Sequence, residues 1–149
     1  SNTNPPVYYS LHDEMGANVP KPDLEEVKIQ IFALTDRIDD SLVLSCHDIS
    51  DGGIASALAE MTFKRGVGCG VTIVGNLSVE KLLFSETGGF VLESSSENVE
   101  IIKENFSKYK LDVFEIGKTG GDLIQINNVI NISVNETKEA WTNGLREKL

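Results

Sequence analysis

The chain has 149 residues, enough for about one domain that buries roughly two-thirds of its unfolded surface without disulfides or metal. Its composition, 40% hydrophobic and 24% charged, is that of a globular protein. The net charge of −10, from 13 basic and 23 acidic residues, argues against a general nucleic-acid binder, which carries a basic face. No apolar run approaches the roughly 20 residues of a membrane helix. The start SNTNPPVYYS is polar and has no signal-peptide pattern, so a cytoplasmic location is expected. Cys46 and Cys69 are too few for a disulfide framework and lack partners at zinc-ligand spacing. Both read as small buried apolar residues. The sequons at Asn76, Asn105, Asn131 and Asn135 are expected to stay unmodified.

In chain order, residues 1–22 hold all four prolines and read as an extended connector with a short strand at VYYSL. Residues 23–149 read as the domain. Asp23 can cap a helix running to about Asp40, with Leu24, Val27, Ile31, Leu34 and Ile38 as its apolar stripe. LVLSC (42–46) reads as a buried strand and HDISDGG as a loop. A second helix follows from Ile54 to about Lys64, with Ile54, Ala57, Leu58 and Met61 inward. CGVTIVG (69–75) is a strand, VEKLLF a short helix, and GFVLES a strand after the SETGG turn. ENVEIIKENFSKY is a third long helix, with Val99, Ile102 and Phe106 inward. DVFEIGK, DLIQI and VINISV are strands joined by TGG and NN turns. The closing helix has Trp141 and Leu145 inward and Asn135 or Thr137 as cap. This order predicts an α/β (α+β) fold, a mixed β-sheet covered by helices.

The junction LSCHDISDGGIASALAEM raises the functional question. A strand feeding a glycine loop into a helix can make an anion site, because the first helical N–H groups lack intrahelical partners. Gly52 and Gly53 let a ligand approach the backbone, Ser50 or Asp51 can cap the helix, and the N–H groups of Gly52, Gly53 and Ile54 are the expected donors. Asp48 and Asp51 could instead hold Mg²⁺ or sugar hydroxyls. The structural alternative is a capped turn with glycines for tight packing. His47 either contacts ligand or ties down the loop. Glu86, in SETGG, is the further ligand-binding candidate, against a plain glycine turn. GKTGGD fails the phosphate-loop spacing and reads as a hairpin turn, and GVGCG fails the dinucleotide spacing. Neither a catalytic residue nor a metal-ligand set can be picked out.

CHDISDGGIASALAEM, LLFSETGGFVLE, IGKTGGD and a Trp-x-x-x-Leu closing helix, in that order, resemble the C-terminal lobe of the AIR-synthase-related ATP-dependent enzymes. VYYSLHDEMGANVPKPDLEE is also similar to the segment entering that lobe, so the resemblance covers nearly the whole chain. The HDISDGGIASALAEM block is its most specific part. Within the family, the variant resembles the synthetase subunit of phosphoribosylformylglycinamidine synthases. Aminoimidazole ribonucleotide synthase, selenophosphate synthetase and thiamine-monophosphate kinase are the alternatives, and a non-catalytic interaction domain is the alternative from another class.

The resemblance implies a duplicated enzyme of purine biosynthesis that uses ATP, Mg²⁺ and glutamine-derived ammonia. Its implied partners are the preceding lobes, a glutaminase subunit and a small bridging subunit. It also implies that this lobe alone lacks a complete active site and turns over at background, and that one of two pseudo-symmetric clefts does the chemistry. The family's usual Arg after the SE-x-GG turn is absent, since Phe90 follows directly. Any charge it would offer a ligand is missing.

Overall fold

The computed structural model describes residues 24–39 and 41–146. Helix α1 spans Leu24–Asp39 and opens with Glu25 and Glu26, which suit the positive end of its dipole. Strand β1 (Ser45–Asp48), helix α2 (Gly53–Phe63), strand β2 (Cys69–Val71) and the short helix α3 (Val79–Phe84) follow. Strand β3 (Phe90–Glu93) leads through a 3₁₀ turn at Ser96–Asn98 into α4 (Val99–Ser107). Strands β4 (Gly117–Thr119), β5 (Leu123–Ile126) and β6 (Ile130–Ser133) precede the closing helix α5 (Val134–Arg146). The expected VYYSL strand and the cap at Asp23 lie outside the described residues.

The α+β class and the mixed pairing hold, but the described strands form two sheets rather than one. β1 and β3 make an antiparallel ribbon, and the second sheet has the order β4-β2-β5-β6, with β2 parallel to β5. The division arises because the expected strand DVFEIGK pairs only at Gly117–Thr119. The TGG turn is not a hairpin turn either. β2 lies between β4 and β5, so the link must cross roughly 10 Å, two strand spacings. It does so over the start of β2: the Gly120 N–H donates to the Gly68 carbonyl and the Gly68 N–H to the Gly121 carbonyl. A Cβ at Gly68 would run into the Leu123 backbone.

The NN turn is a hairpin as expected. Asn127 and Asn128 have φ of 50° and 57°, which matches the twist of the flanking strands. Asn127 also extends β2, its Oδ1 accepting from the Ile73 N–H at 2.6 Å and its Nδ2 donating to the Ile73 carbonyl at 2.8 Å.

Period-two alternation on the ribbon separates two cores. Val91 joins Ala57, Leu58, Leu83, Ile124 and Ile126, while Cys46, Phe90 and Leu92 turn the other way, onto Ala33, Leu34, Ile102 and Phe106. The α1 stripe is rotated from the expected one. Leu34 and the small Ala33 are buried, Val27 is half-buried, but Ile31 is 49% exposed. Ala33 lets α1 sit close to α4, and that contact turns Ile31 and Phe32 outward. The side chains of Leu24 and Ile38 lie outside the described residues.

In α2, Ala57 and Leu58 are buried and Ile54 and Met61 half-buried, close to the expected face. In α4, Ile102 and Phe106 are buried as expected and Val99 half-buried. Trp141 is not inward. It is half exposed, its ring tilted on Phe63 at 5.7 Å. The Leu145 side chain lies outside the described residues.

Candidate functional site

β1 ends in His47 and Asp48, so these two lie on the strand and not in the loop. The polypeptide then turns sharply. The Ile49 N–H donates to the Gly89 carbonyl at 2.9 Å, which ties the SDGG loop to the SETGG loop. Gly52 and Gly53 follow with φ of 79° and 68°, a left-handed pair that non-glycine residues rarely adopt.

Gly53 is buried, and a Cβ there would lie 2.6 Å from the Leu83 carbonyl oxygen and 2.8 Å from Phe84 Cα. The start of α2 therefore rests directly on the end of α3. Glycine at 53 is required twice, by φ and by space.

Two of the three donors expected to be free, those of Gly52 and Gly53, are occupied. The Gly52 N–H donates to Glu86 Oε1 at 3.1 Å, and the Gly53 N–H donates to the Ser50 carbonyl at 3.0 Å. Neither Ser50 nor Asp51 caps α2; the N-cap is Gly52, which has no side chain to cap with. Asp51 stands one residue before the N-cap, outside the position from which a side chain caps the N2 or N3 N–H. Ser50 and Asp51 are exposed, and Ile54 packs half-buried against the first core. The structure thus joins Gly52 to Glu86, two candidates 34 residues apart. It also gathers the carboxylates of Asp48 and Asp51 at the same strand-to-helix junction.

His47 faces inward across the ribbon toward α2. Its Nδ1 lies 2.7 Å from the Asp48 carbonyl and its Nε2 3.4 Å from Glu60 Oε2. With Nδ1–H donating to the carbonyl, a protonated ring presents its second N–H to Glu60. The side chain ties β1 to the third turn of α2.

Sequence reasoning missed Glu93. Its Oε2 accepts from Ser45 Oγ at 2.8 Å and from the Arg65 guanidinium at 3.1 Å, and its Oε1 accepts from Thr119 Oγ1 at 3.0 Å. One carboxylate so links β1, β3, the end of α2 and β4, at the rim of a cavity of about 750 Å³ between β3 and residues 112–119. The available signal was the alternation that sets Glu93 on the same ribbon face as Val91.

Both thiols are pushed up. Burial is the cause for Cys69; for Cys46 burial comes first and the Asp48 charge second. Raised thiols are poor nucleophiles and poor metal ligands. Among the described residues no group of three or more His, Cys, Asp or Glu is placed to hold a metal ion. No helix among them is long and apolar enough to cross a membrane.

The sequence pattern described as AIR synthase related protein, C-terminal domain, matches residues 7–125. The chain is 36% identical to the phosphoribosylformylglycinamidine synthase subunit PurL of Thermoplasma acidophilum over 147 residues, which cover 93% of this chain and 19% of that protein. Its fold is similar to phosphoribosylformylglycinamidine synthase II from Thermotoga maritima, with TM-score 0.69 and 21% identity over 79% of this chain and 22% of that one. It is also similar to T. maritima PurL complexed with ATP, with TM-score 0.66 and 22% identity over 74% of this chain and 21% of that one. The chain spans about a fifth of the length of these relatives.

Proposed function

The chain belongs to the family of AIR synthase related protein C-terminal domains, and from that premise we propose that it is the last lobe of a phosphoribosylformylglycinamidine synthase. The whole enzyme would convert formylglycinamide ribonucleotide to the formylglycinamidine, using ATP and ammonia delivered by a glutaminase subunit. ATP would activate the formyl amide oxygen as a phosphate ester, and ammonia would then displace the phosphate. The likeness in sequence over nearly the whole chain to a relative of that name supports this reading over the other members of the family.

The observation that carries the lobe's own role is the hydrogen bond from the Gly52 N–H to Glu86. It joins the two glycine loops that bear the family's motifs into one rigid edge. A bare phosphate arriving there would have to displace Glu86 and face the charges of Asp48 and Asp51. The candidate set His47, Asp48, Ser50, Asp51, Gly52, Gly53, Ile54 and Glu86 divides accordingly. His47, Gly52, Gly53, Ile54 and Glu86 hold the edge in shape. Asp48, Ser50 and Asp51 present acceptor oxygens, which suit hydroxyl groups of a ribonucleotide better than its phosphate. Groups that hold ATP, Mg²⁺ and the reacting amide would come from the remaining lobes.

Two assays test this. The 149-residue chain, given formylglycinamide ribonucleotide, ATP and ammonia, is expected to turn over at background; sustained amidine formation would overturn the reading. In the longer protein, Asp48→Asn with Asp51→Asn is expected to raise the KM for the ribonucleotide about 10-fold or more with kcat kept, the loss of uniform binding. An unchanged KM would favour the second reading, a purely structural lobe, which the occupied Gly52 and Gly53 donors support.

A further inference from the structure

The SDGG and SETGG loops are tied together at two points. The Gly52 N–H reaches Glu86 at 3.1 Å, and the Ile49 N–H reaches the Gly89 carbonyl at 2.9 Å. The exposed acceptors Ser50 and Asp51 lie between these ties. The second tie is one side of a single peptide unit, whose other side, the Asp48 carbonyl, lies 2.7 Å from His47 Nδ1. The unit is planar and trans, so its carbonyl and its N–H point in opposite directions and cannot turn independently. A ring held in place at His47 therefore fixes the direction of the Ile49 N–H. That ring stands between two carboxylates, with Nε2 3.4 Å from Glu60 Oε2 and Nδ1 3.6 Å from Asp48 Oδ1. A doubly protonated ring donates through both nitrogens, to the Asp48 carbonyl and to Glu60. Glu60 lies one helical turn after Ser56, on the face of α2 turned to the loops; the Ser56 hydroxyl is what a Cβ at Gly52 would strike.

We propose that Glu60 is the positioning residue of this edge, acting through His47 and not on a ligand. Glu60 holds the ring. The ring holds the Asp48–Ile49 peptide and stands beside the Asp48 carboxylate. The peptide in turn sets the SETGG loop against Asp48, Ser50 and Asp51. Glu60 is a fixed point for this purpose, because the neighbouring Ala57 and Leu58 are buried and anchor α2 in the first core. The acceptor oxygens at the end of β1 are thus placed from the third turn of α2. That these oxygens receive hydroxyl groups of a ribonucleotide rests on the reading above; that Glu60 places them does not.

Amide exchange in the 149-residue chain and kinetics in the longer protein test the proposal. Glu60→Ala keeps a strong helix former in α2, so the variant is expected to fold. It should speed exchange of the Ile49 amide about 10-fold or more, the loss of a charge-assisted contact, with Ile124 and Ile126 unchanged. Glu60→Gln keeps an acceptor for the ring and should recover most of the protection, which a role confined to helix packing would not require. His47→Ala should act like Glu60→Ala, and the two together should do no more than either alone. An Ile49 amide indifferent to Glu60→Ala, or effects of the two changes that add in full, would overturn the proposal. In the longer protein Glu60→Ala should raise the KM for the ribonucleotide about 3-fold with kcat kept, and Glu60→Gln should restore it. The two readings fail separately. If Asp48→Asn with Asp51→Asn leaves KM unchanged, the hydroxyl-binding reading falls and the Ile49 amide alone decides on Glu60. If that pair raises KM and Glu60→Ala does not, the positioning role is overturned.

Discussion

Two helices of this protein start the same way, from the end of a strand, and solve the same problem differently. α5 follows β6 and is closed locally. Ser133 Oγ accepts from the Glu136 N–H at 3.1 Å, and the Glu136 carboxylate accepts from the Ser133 N–H at 3.2 Å and from its hydroxyl at 2.6 Å. This reciprocal box corrects the expected cap at Asn135 or Thr137. It is readable as S-x-x-E, residues 133–136. α2 follows β1 and is closed from 34 residues away, by Glu86, through a backbone that only glycine can follow. A local cap serves the helix alone. A distant cap also fixes one loop against another, and so makes a shaped surface.

The largest break in this comparison is expected at Gly53. From sequence, Gly53→Val at a helix start would cost under about 1 kcal/mol. The positive φ and the clash with Leu83 and Phe84 raise that to about 3 kcal/mol or more. Chemical denaturation would show it as a fall in the midpoint, and a loss under 1 kcal/mol would refute the required glycine. Val is equally suited to test the contrast at exposed Gly144 of α5, where a Cβ would meet nothing within 4 Å and little change is expected.

Glu86→Ala comes next. Removing the acceptor leaves the Gly52 N–H without its partner, at a cost of about 1–3 kcal/mol, and Glu86→Gln should recover most of it. The Gly52 amide shift reports the bond directly, and a shift unchanged in Glu86→Ala would break the distant-cap account. Ser133→Ala should cost less, about 1 kcal/mol, by the same denaturation measurement.

The smallest effect is a pH dependence at α5. The Ser133 hydroxyl first, and its backbone N–H second, hold the exposed Glu136 carboxyl below the usual carboxylate range. A depressed folded-state value contributes stability above the unfolded value, about 4.3, and that stability is lost as pH falls through the folded value. The gap in Tm between wild type and Glu136→Gln should close on acidification through that window. A gap constant to pH 2 would deny the box its charge.

Several large apolar side chains are exposed. The largest exposures fall on Val74 and Phe114, outside the strands, and on Phe32 of α1, rather than on one continuous face. Phe114 lines the cavity between β3 and residues 112–119, in a stretch that the pattern of alternation alone suggested as a strand.

What the sequence determined by itself is local. Element types follow from periodicity: the spacing of Ala57, Leu58 and Met61 makes α2, alternation makes β5 and β6, and two asparagines make the turn between them. The SDGG and SETGG loops announced themselves by composition. Only the tertiary structure decided which N–H meets which oxygen. Gly52 and Glu86 are distant in the chain and lie together because α2 packs on α3 with a glycine at the contact. The same holds for the crossing of β4 and β5 over β2, and for Glu93, whose three partners come from three other parts of the chain. Periodicity encodes which face a residue turns inward. It carries no term for the neighbour that face will find, and at the junctions of this protein the neighbour sets the chemistry.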